Sequence, residues 1–146
     1  MTDDGNARLH RLDILVGTWD TTITLLAADG SPGAVSTAVD RYDWMANGHF
    51  LLHDVDAIIE GQHILSMEVI ALADTGTGYA TRSYDADGSI NDFSAERDGN
   101  DWRITGRDQR FAGAFSADGK SLAGRWEQRH GTEWRPLMTV TLVKRS

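Results

Sequence analysis

The sequence predicts an all-β protein: a closed, antiparallel, up-and-down barrel of about 8–10 strands preceded by one short helix. Three observations carry that expectation. Turn-forming pairs recur along the chain, the segments between them are rich in β-branched and aromatic residues, and several segments alternate apolar with polar side chains. Closure follows because a meander this long, left open, would expose strand edges that invite aggregation. A two-sheet sandwich is the alternative way to cover them.

The helix is placed at about 6–16. Asn6 can cap it, and Leu9, Leu12 and Leu15 or Val16 fall at helical spacing. Strands then occupy roughly 17–145, all within a single domain, 1–146. In "WDTTITL" (19–25), Trp19, Thr21, Ile23 and Leu25 oppose Asp20, Thr22 and Thr24. Turns follow at Asp29-Gly30, Asn47-Gly48, Glu60-Gly61, "TGTG" (75–78), Asp87-Gly88, Asp98-Gly99, Gly106-Arg107, Asp118-Gly119 and His130-Gly131. Asn, Asp and Gly tolerate the positive φ that tight hairpins require. In "LAGRWEQRH" (122–130), Leu122, Gly124 and Trp126 share the face opposite Arg125, Glu127 and Arg129. In "WRPLMTVTLV" (134–143), Trp134, Met138, Val140 and Leu142 oppose Arg135, Thr139 and Thr141. Pro136 is expected near a strand start, where a missing donor does least harm.

Bulk properties narrow the function classes. The chain is 40% hydrophobic and 25% charged, a globular composition. Its formal net charge of −8 argues against nucleic acid or an anionic membrane as partner. No apolar run reaches the ~18 residues needed to span a bilayer. "MTDDGNARLHRL" lacks the basic-then-apolar order of a secretory signal, and the absence of cysteine suits a reducing cytoplasm.

The stretch "NGHFLLHD" (47–54) raises a specific question, because His49 and His53 stand four residues apart. On a helix they could share a metal. After an Asn-Gly turn, with Asp54 and Asp56 in alternation, residues 49–58 instead read as strand. Along a strand the two imidazoles lie ~13 Å apart, too far to share one zinc. Alternation then turns His49, Leu51, His53, Val55 and Ala57 inward. A turn centred on Asn47-Gly48 sets Tyr42 opposite His53 and Trp44 opposite Leu51. A two-residue turn at Glu60-Gly61 sets His53 opposite Glu68. A three-residue loop would turn Glu68 outward, whereas a loop at Gly61-Gln62 makes it a diagonal neighbour on the same face. Tyr42, His53 and Glu68 thus form one row across three strands, and Tyr79, Thr81 and Ser83 continue on the inner face. Between about 86 and 119 alternation leaves the facing open.

Two readings of this row stand beside a third, a barrel packed solid with an interaction role. The leading one is a cavity that binds a small hydrophobic or amphipathic ligand, walled by Trp44, Leu51 and Val55, with Tyr42, His53 and Glu68 as polar contacts. The other is a cofactor-free enzyme, an isomerase, cyclase or hydrolase, in which His53 and Glu68 move a proton. Of the remaining aromatics, Trp19 and Trp126 are expected to plug a barrel end. Lys144 or Arg145 is expected over Trp19 as a cation–π contact, and Arg110 faces solvent. No metal site and no cofactor are expected, and a homodimer is the oligomeric alternative to a monomer.

"LDILVGTWD" (12–20) resembles the opening of calycin proteins, the lipocalin and fatty-acid-binding group, with Gly17 and Trp19 at the Gly-x-Trp. "WMANGHFLLHDVD", "MEVIALADTGTGYATRSYDADG" and "RFAGAFSADGKSLAGRWEQRHGTEWRPLMTVTL" resemble a bacterial lipocalin-like domain family of unassigned function, from about Leu9 to Val143. The resemblance implies a calycin-type barrel and no reaction. Where that family would have a Gly before Met67 and a Tyr-Asp near 73–74, this chain has Ser66 and Ala73-Asp74. Nitrobindin-type haem barrels are a neighbouring resemblance and use a histidine near the last strand as axial ligand. Residues 133–145 contain none and His130 is placed in the preceding turn, so haem is not expected.

Overall fold

Ten antiparallel strands close on themselves behind a helical segment. The computed structural model describes residues 2–146, with side chains described from Gly5 onward. Helix α1 (Thr2–His10) runs directly into a 3₁₀ helix (Arg11–Leu15). The strands follow as β1 (Gly17–Leu26), β2 (Pro32–Trp44), β3 (Leu51–Ile59), β4 (Gln62–Leu72) and β5 (Tyr79–Tyr84). They continue as β6 (Ile90–Asp98), β7 (Asp101–Thr105), β8 (Gln109–Phe115), β9 (Ser121–His130) and β10 (Glu133–Lys144). Each pairs with its sequence neighbours, and β1 pairs with β10 to complete the barrel. This is the closed up-and-down arrangement expected from the turn pattern.

The helical segment starts earlier than the sequence predicts and changes type midway. Asn6 lies inside α1 instead of capping it. Leu9, Leu12 and Leu15 are nonetheless all buried. Three-residue spacing suits a 3₁₀ helix, where i and i+3 eclipse, so Leu12 and Leu15 point the same way into the barrel end. Trp19 is fully buried beneath them and donates its indole N–H to the Leu15 carbonyl at 2.8 Å. Lys144 Nζ sits 4.9 Å from the Trp19 ring centroid and donates to the Ile14 carbonyl at 2.8 Å. The last strand is thereby tied to the helical plug, the expected cation–π contact included. Arg8 donates to the Gly76 carbonyl, and the Tyr79 hydroxyl donates to the Arg8 carbonyl at 2.7 Å, fastening α1 to the loop before β5.

Register follows the turns with one change in detail. Glu60 and Gly61 both have positive φ, 50° and 78°, as a two-residue hairpin turn requires, and His53 faces Glu68. At Asn47-Gly48 the pairing is also as predicted, with Tyr42 opposite His53 and Trp44 opposite Leu51. The loop is longer, however. Met45 and Phe50 close it by one backbone bond of 2.8 Å, and β3 begins at Leu51. His49 therefore lies in the turn and is exposed, not inward. Adding one residue on each side of the turn leaves the register intact, which is why the rest of the prediction survives.

β10 departs from simple alternation. Pairing with β9 shifts between Pro136 and Met138, a bulge that reverses which face the following residues take. Met138, Val140 and Leu142 line the interior, but Trp134 pairs with Arg129 on the outer face. There Trp134 is covered by exposed Arg110, whose guanidinium carbon is 4.2 Å from the ring centroid.

The barrel wall has one place of backbone-to-ring contact. Gly113 and Gly124 face each other across β8 and β9, and Phe111 folds its ring over them. A Cβ on Gly124 would stand 2.6 Å from the Ala112 carbonyl oxygen and clash with the Phe111 ring. Gly124→Ala is expected to destabilise the fold by about 1–3 kcal/mol through overpacking. A urea titration reads this as a lowered midpoint at unchanged slope.

Candidate functional site

The site grows from the inner faces of β1 to β5. Tyr42, His53, Glu68 and Ser83 pair in succession across four strands, so one row of side chains crosses the interior. Asp40, two residues before Tyr42, shares its face and reaches His53 diagonally. His53 Nε2 lies 2.6 Å from Asp40 Oδ2, and Nδ1 lies 2.9 Å from Glu68 Oε1. The three side chains are only 12%, 10% and 14% exposed for His53, Asp40 and Glu68. The Thr21 hydroxyl donates to the other Asp40 oxygen at 2.6 Å. The Tyr42 ring stacks on the imidazole, centroids 3.8 Å apart and planes within 11°.

Carboxylates only accept, so both imidazole nitrogens must donate for both bonds to form. That requires the imidazolium. Burial by itself disfavours the charged ring, but the hydrogen bonds and charges of Asp40 and Glu68 outweigh it and raise the His53 pKa from 6.5 to about 9. The Tyr42 hydroxyl is pushed well above its ordinary value, by burial first and then by the nearby charges of Asp40 and Glu68. At neutral pH the cluster is an imidazolium held by two carboxylates, with a protonated phenol ring against it. Asp40 has both oxygens engaged. Among the described residues, no side chain bonds the second oxygen of Glu68.

These groups form one side of an internal cavity of about 310 Å³. The facing wall is apolar and aromatic: Phe93, Trp102, Ile104, Phe111, Trp126 and Met138. Trp126 packs on Phe111 and Phe93 at centroid distances of 5.3 and 6.3 Å. It walls the cavity and does not plug a barrel end as expected. The helical plug fills the end where β1 starts and β2 ends, so the open space lies toward the opposite end, where Asp85 and Gln109 stand.

Of the predicted ligand contacts, Tyr42, His53, Val55 and Glu68 line the cavity. Trp44 and Leu51 do not. Trp44 donates its indole N–H to Asp13 at 2.8 Å and lies against His10, beneath the helical segment. Leu51 is fully buried between Trp44 and Ile70 in the same plugged end. Both sit next to the Asn47-Gly48 turn, and that end of the barrel is the one the helix closes. Asp40 is a site residue that sequence reasoning does not single out. Its parity with Tyr42 was the available signal. Phe93, Trp102, Ile104 and Phe111 belong to the stretch whose facing alternation left open. His130 ends β9 and is exposed. Among the described residues, no group of three or more His, Asp and Glu side chains is arranged to hold a metal ion.

No protein-family model and no curated protein matches the chain. Solved structures do. Rv2717c from M. tuberculosis superposes with a TM-score of 0.69 at 12% identity, over 95% of this chain and 98% of that one. The S-type phycobiliprotein lyase CPES from Guillardia theta gives 0.57 at 10%, over 99% and 97%. The zebrafish ileal bile acid-binding protein, complexed with cholic acid, gives 0.56 at 10%, over 90% and 99%. At these identities the likeness is one of fold: a calycin-type barrel.

The cluster makes a pH prediction. The folded pKa of His53, about 9, exceeds its unfolded value of 6.5, so its stabilising contribution is complete below pH 6.5. That contribution fades as pH rises through about 9. NMR titration of the imidazole should show it protonated at pH 7.5. Asp40→Asn or Glu68→Gln should each lower its pKa by about 1–3 units.

Proposed function

We propose that this chain binds a small, largely apolar molecule inside its barrel. The cavity carries the proposal: a space of about 310 Å³ with an aromatic wall facing a convergent polar cluster. Apolar enclosure supplies affinity, and a few placed polar groups supply orientation. In this reading Val55, Phe93, Trp102 and Trp126 hold the body of the ligand, while Tyr42, His53 and Glu68, joined by Asp40, meet its polar end. A fold of this type carries cholic acid in the zebrafish bile acid-binding protein, which supports an interior site of this general kind. The reading includes membership of the bacterial lipocalin-like family that the motifs resemble, and a cytoplasmic, cofactor-free role, as monomer or homodimer.

A second reading, a cofactor-free isomerase, cyclase or hydrolase, is favoured by one observation: Glu68 lines the cavity and, among the described residues, no side chain bonds its second oxygen. With both nitrogens of His53 bonded to carboxylates, this reading gives the base role within the His53–Glu68 pair to Glu68. Glu68 would take the substrate proton and the imidazolium would hold the charge balance. Turnover that survives Glu68→Gln would remove this reading.

The binding reading is tested by native mass spectrometry of the purified chain, followed by titration with the neutral dye N-phenyl-1-naphthylamine. Saturable fluorescence enhancement is expected. Ala38→Phe and Val140→Phe, which fill the cavity from β2 and β10, should each weaken it at least about tenfold while unfolding stays cooperative. Neither a co-purified molecule nor saturable dye binding would be the result that overturns it.

A further inference from the structure

The charges around the cavity are unbalanced. Three carboxylates line it, Asp40, Glu68 and Asp85, against one imidazolium, His53. Among the described residues no lysine or arginine lines it. The arginines nearest in sequence belong to the outer face: Arg41 pairs with Asp54 between inward Tyr42 and Asp40, and Arg82 is exposed in an ion pair with Asp92. A barrel built to hold a carboxylate would need a cation inside to replace the water that the carboxylate loses. This interior has the opposite sign.

The donors and acceptors point the same way. His53 spends both N–H groups on Asp40 and Glu68, and Thr21 spends its hydroxyl on Asp40. The acceptors that remain for a ligand are the second Glu68 oxygen and, toward the open end, Asp85, whose Oδ2 already accepts from Asn91 at 2.7 Å. The Tyr42 hydroxyl and the Gln109 amide are donors on the same lining. Opposite them stand the aromatic side chains of Phe93, Trp102, Phe111 and Trp126. Aromatic faces carry negative quadrupole density and attract a cation that carboxylates also hold. A carboxylate in that position would meet two like charges, with the neutral Tyr42 hydroxyl as the cluster's remaining donor and no free cation.

We propose that the cavity selects an organic cation, a protonated amine on an aromatic or aliphatic body, and rejects carboxylates. The ammonium would donate to Glu68, Asp85 would add charge at the open end, and the body would lie against Trp102, Phe111 and Trp126. This inference rests on the cavity-binding reading and adds the sign of the ligand to it. It separates this chain from the cholic acid site of the zebrafish protein, whose ligand is a carboxylic acid.

The test is competition against N-phenyl-1-naphthylamine at pH 7 by three matched compounds: 1-naphthylmethylamine, neutral 1-ethylnaphthalene and 1-naphthylacetate. The amine is expected to bind at least about tenfold tighter than the neutral compound, and the carboxylate at least about tenfold weaker. Glu68→Gln should bring the amine to within about threefold of the neutral compound, and Asp85→Asn should reduce the preference by a smaller factor. Both variants are checked for cooperative unfolding. A neutral compound or carboxylate that binds as tightly as the amine overturns the cation preference and leaves the cavity-binding reading standing. An amine preference unchanged in both variants overturns it too. Failure of the dye and all three compounds to bind overturns both.

Discussion

Closure of β1 onto β10 is the constraint on which the rest depends. Once the sheet has no edge, strand alternation sends every second residue into one enclosed space whose size is set by strand number and tilt. A side chain in that space must be packed, paired or left facing a void. At the helical end the first solution holds: Leu12, Leu15, Trp19, Leu51 and Ile70 are almost entirely out of water. At the other end the inward positions hold Asp40, His53 and Glu68, which can only be buried as a bonded unit. The helix lies over one end alone, and that asymmetry divides the interior into a core and a cavity.

The cluster illustrates why buried charge comes in networks. A lone imidazole in this position would lose its proton to burial, and a lone carboxylate would lack the water it needs. Together they stabilise one another, because each His53 N–H finds a carboxylate and Thr21 and the Tyr42 ring enclose the group. Such a unit contributes less to net stability than its short distances suggest, since its desolvation cost is large. Bonds from β2 and β4 to one ring on β3 fix the inner faces of three strands relative to one another.

Much of this was legible in the sequence, for a definite reason. The Glu60-Gly61 turn sets register through positive φ at both residues, the longer Asn47-Gly48 loop keeps the same pairing by symmetry, and register sets facing, so Tyr42, His53 and Glu68 align from spacing. Lengthening the Asn47-Gly48 loop by one residue on each side did not disturb the alignment, whereas His49, at the edge of that change, was misplaced. The bulge after Pro136 is the counterexample. A single unpaired residue reverses parity, which sent Trp134 outward although its alternation with Met138 looked regular. Trp44 and Leu51 faced as expected but at the wrong depth, because alternation says which face a residue takes and nothing about where a helix covers the barrel. Asp40 shows the limit of residue-type rules. Its charge argued for solvent and its parity for the interior, and parity won because His53 was there to pair with it.

The two halves of the interior are joined by Trp102. It is 2% exposed, lies 6.0 Å from Tyr79 in the plugged half, and also forms part of the cavity wall. Tyr79 in turn donates to the Arg8 carbonyl of α1. Anything that fills the cavity therefore bears on a side chain that the helical plug also holds in place. Apolar cavity lining and an excess of negative charge around it both cost stability unless something packs against the one and balances the other, and a natural barrel retains such features chiefly where a function depends on them. A bound molecule that packed against Trp102 and balanced the charge would remove both costs at once. It would do so without moving the strands, because register and closure are already complete without it.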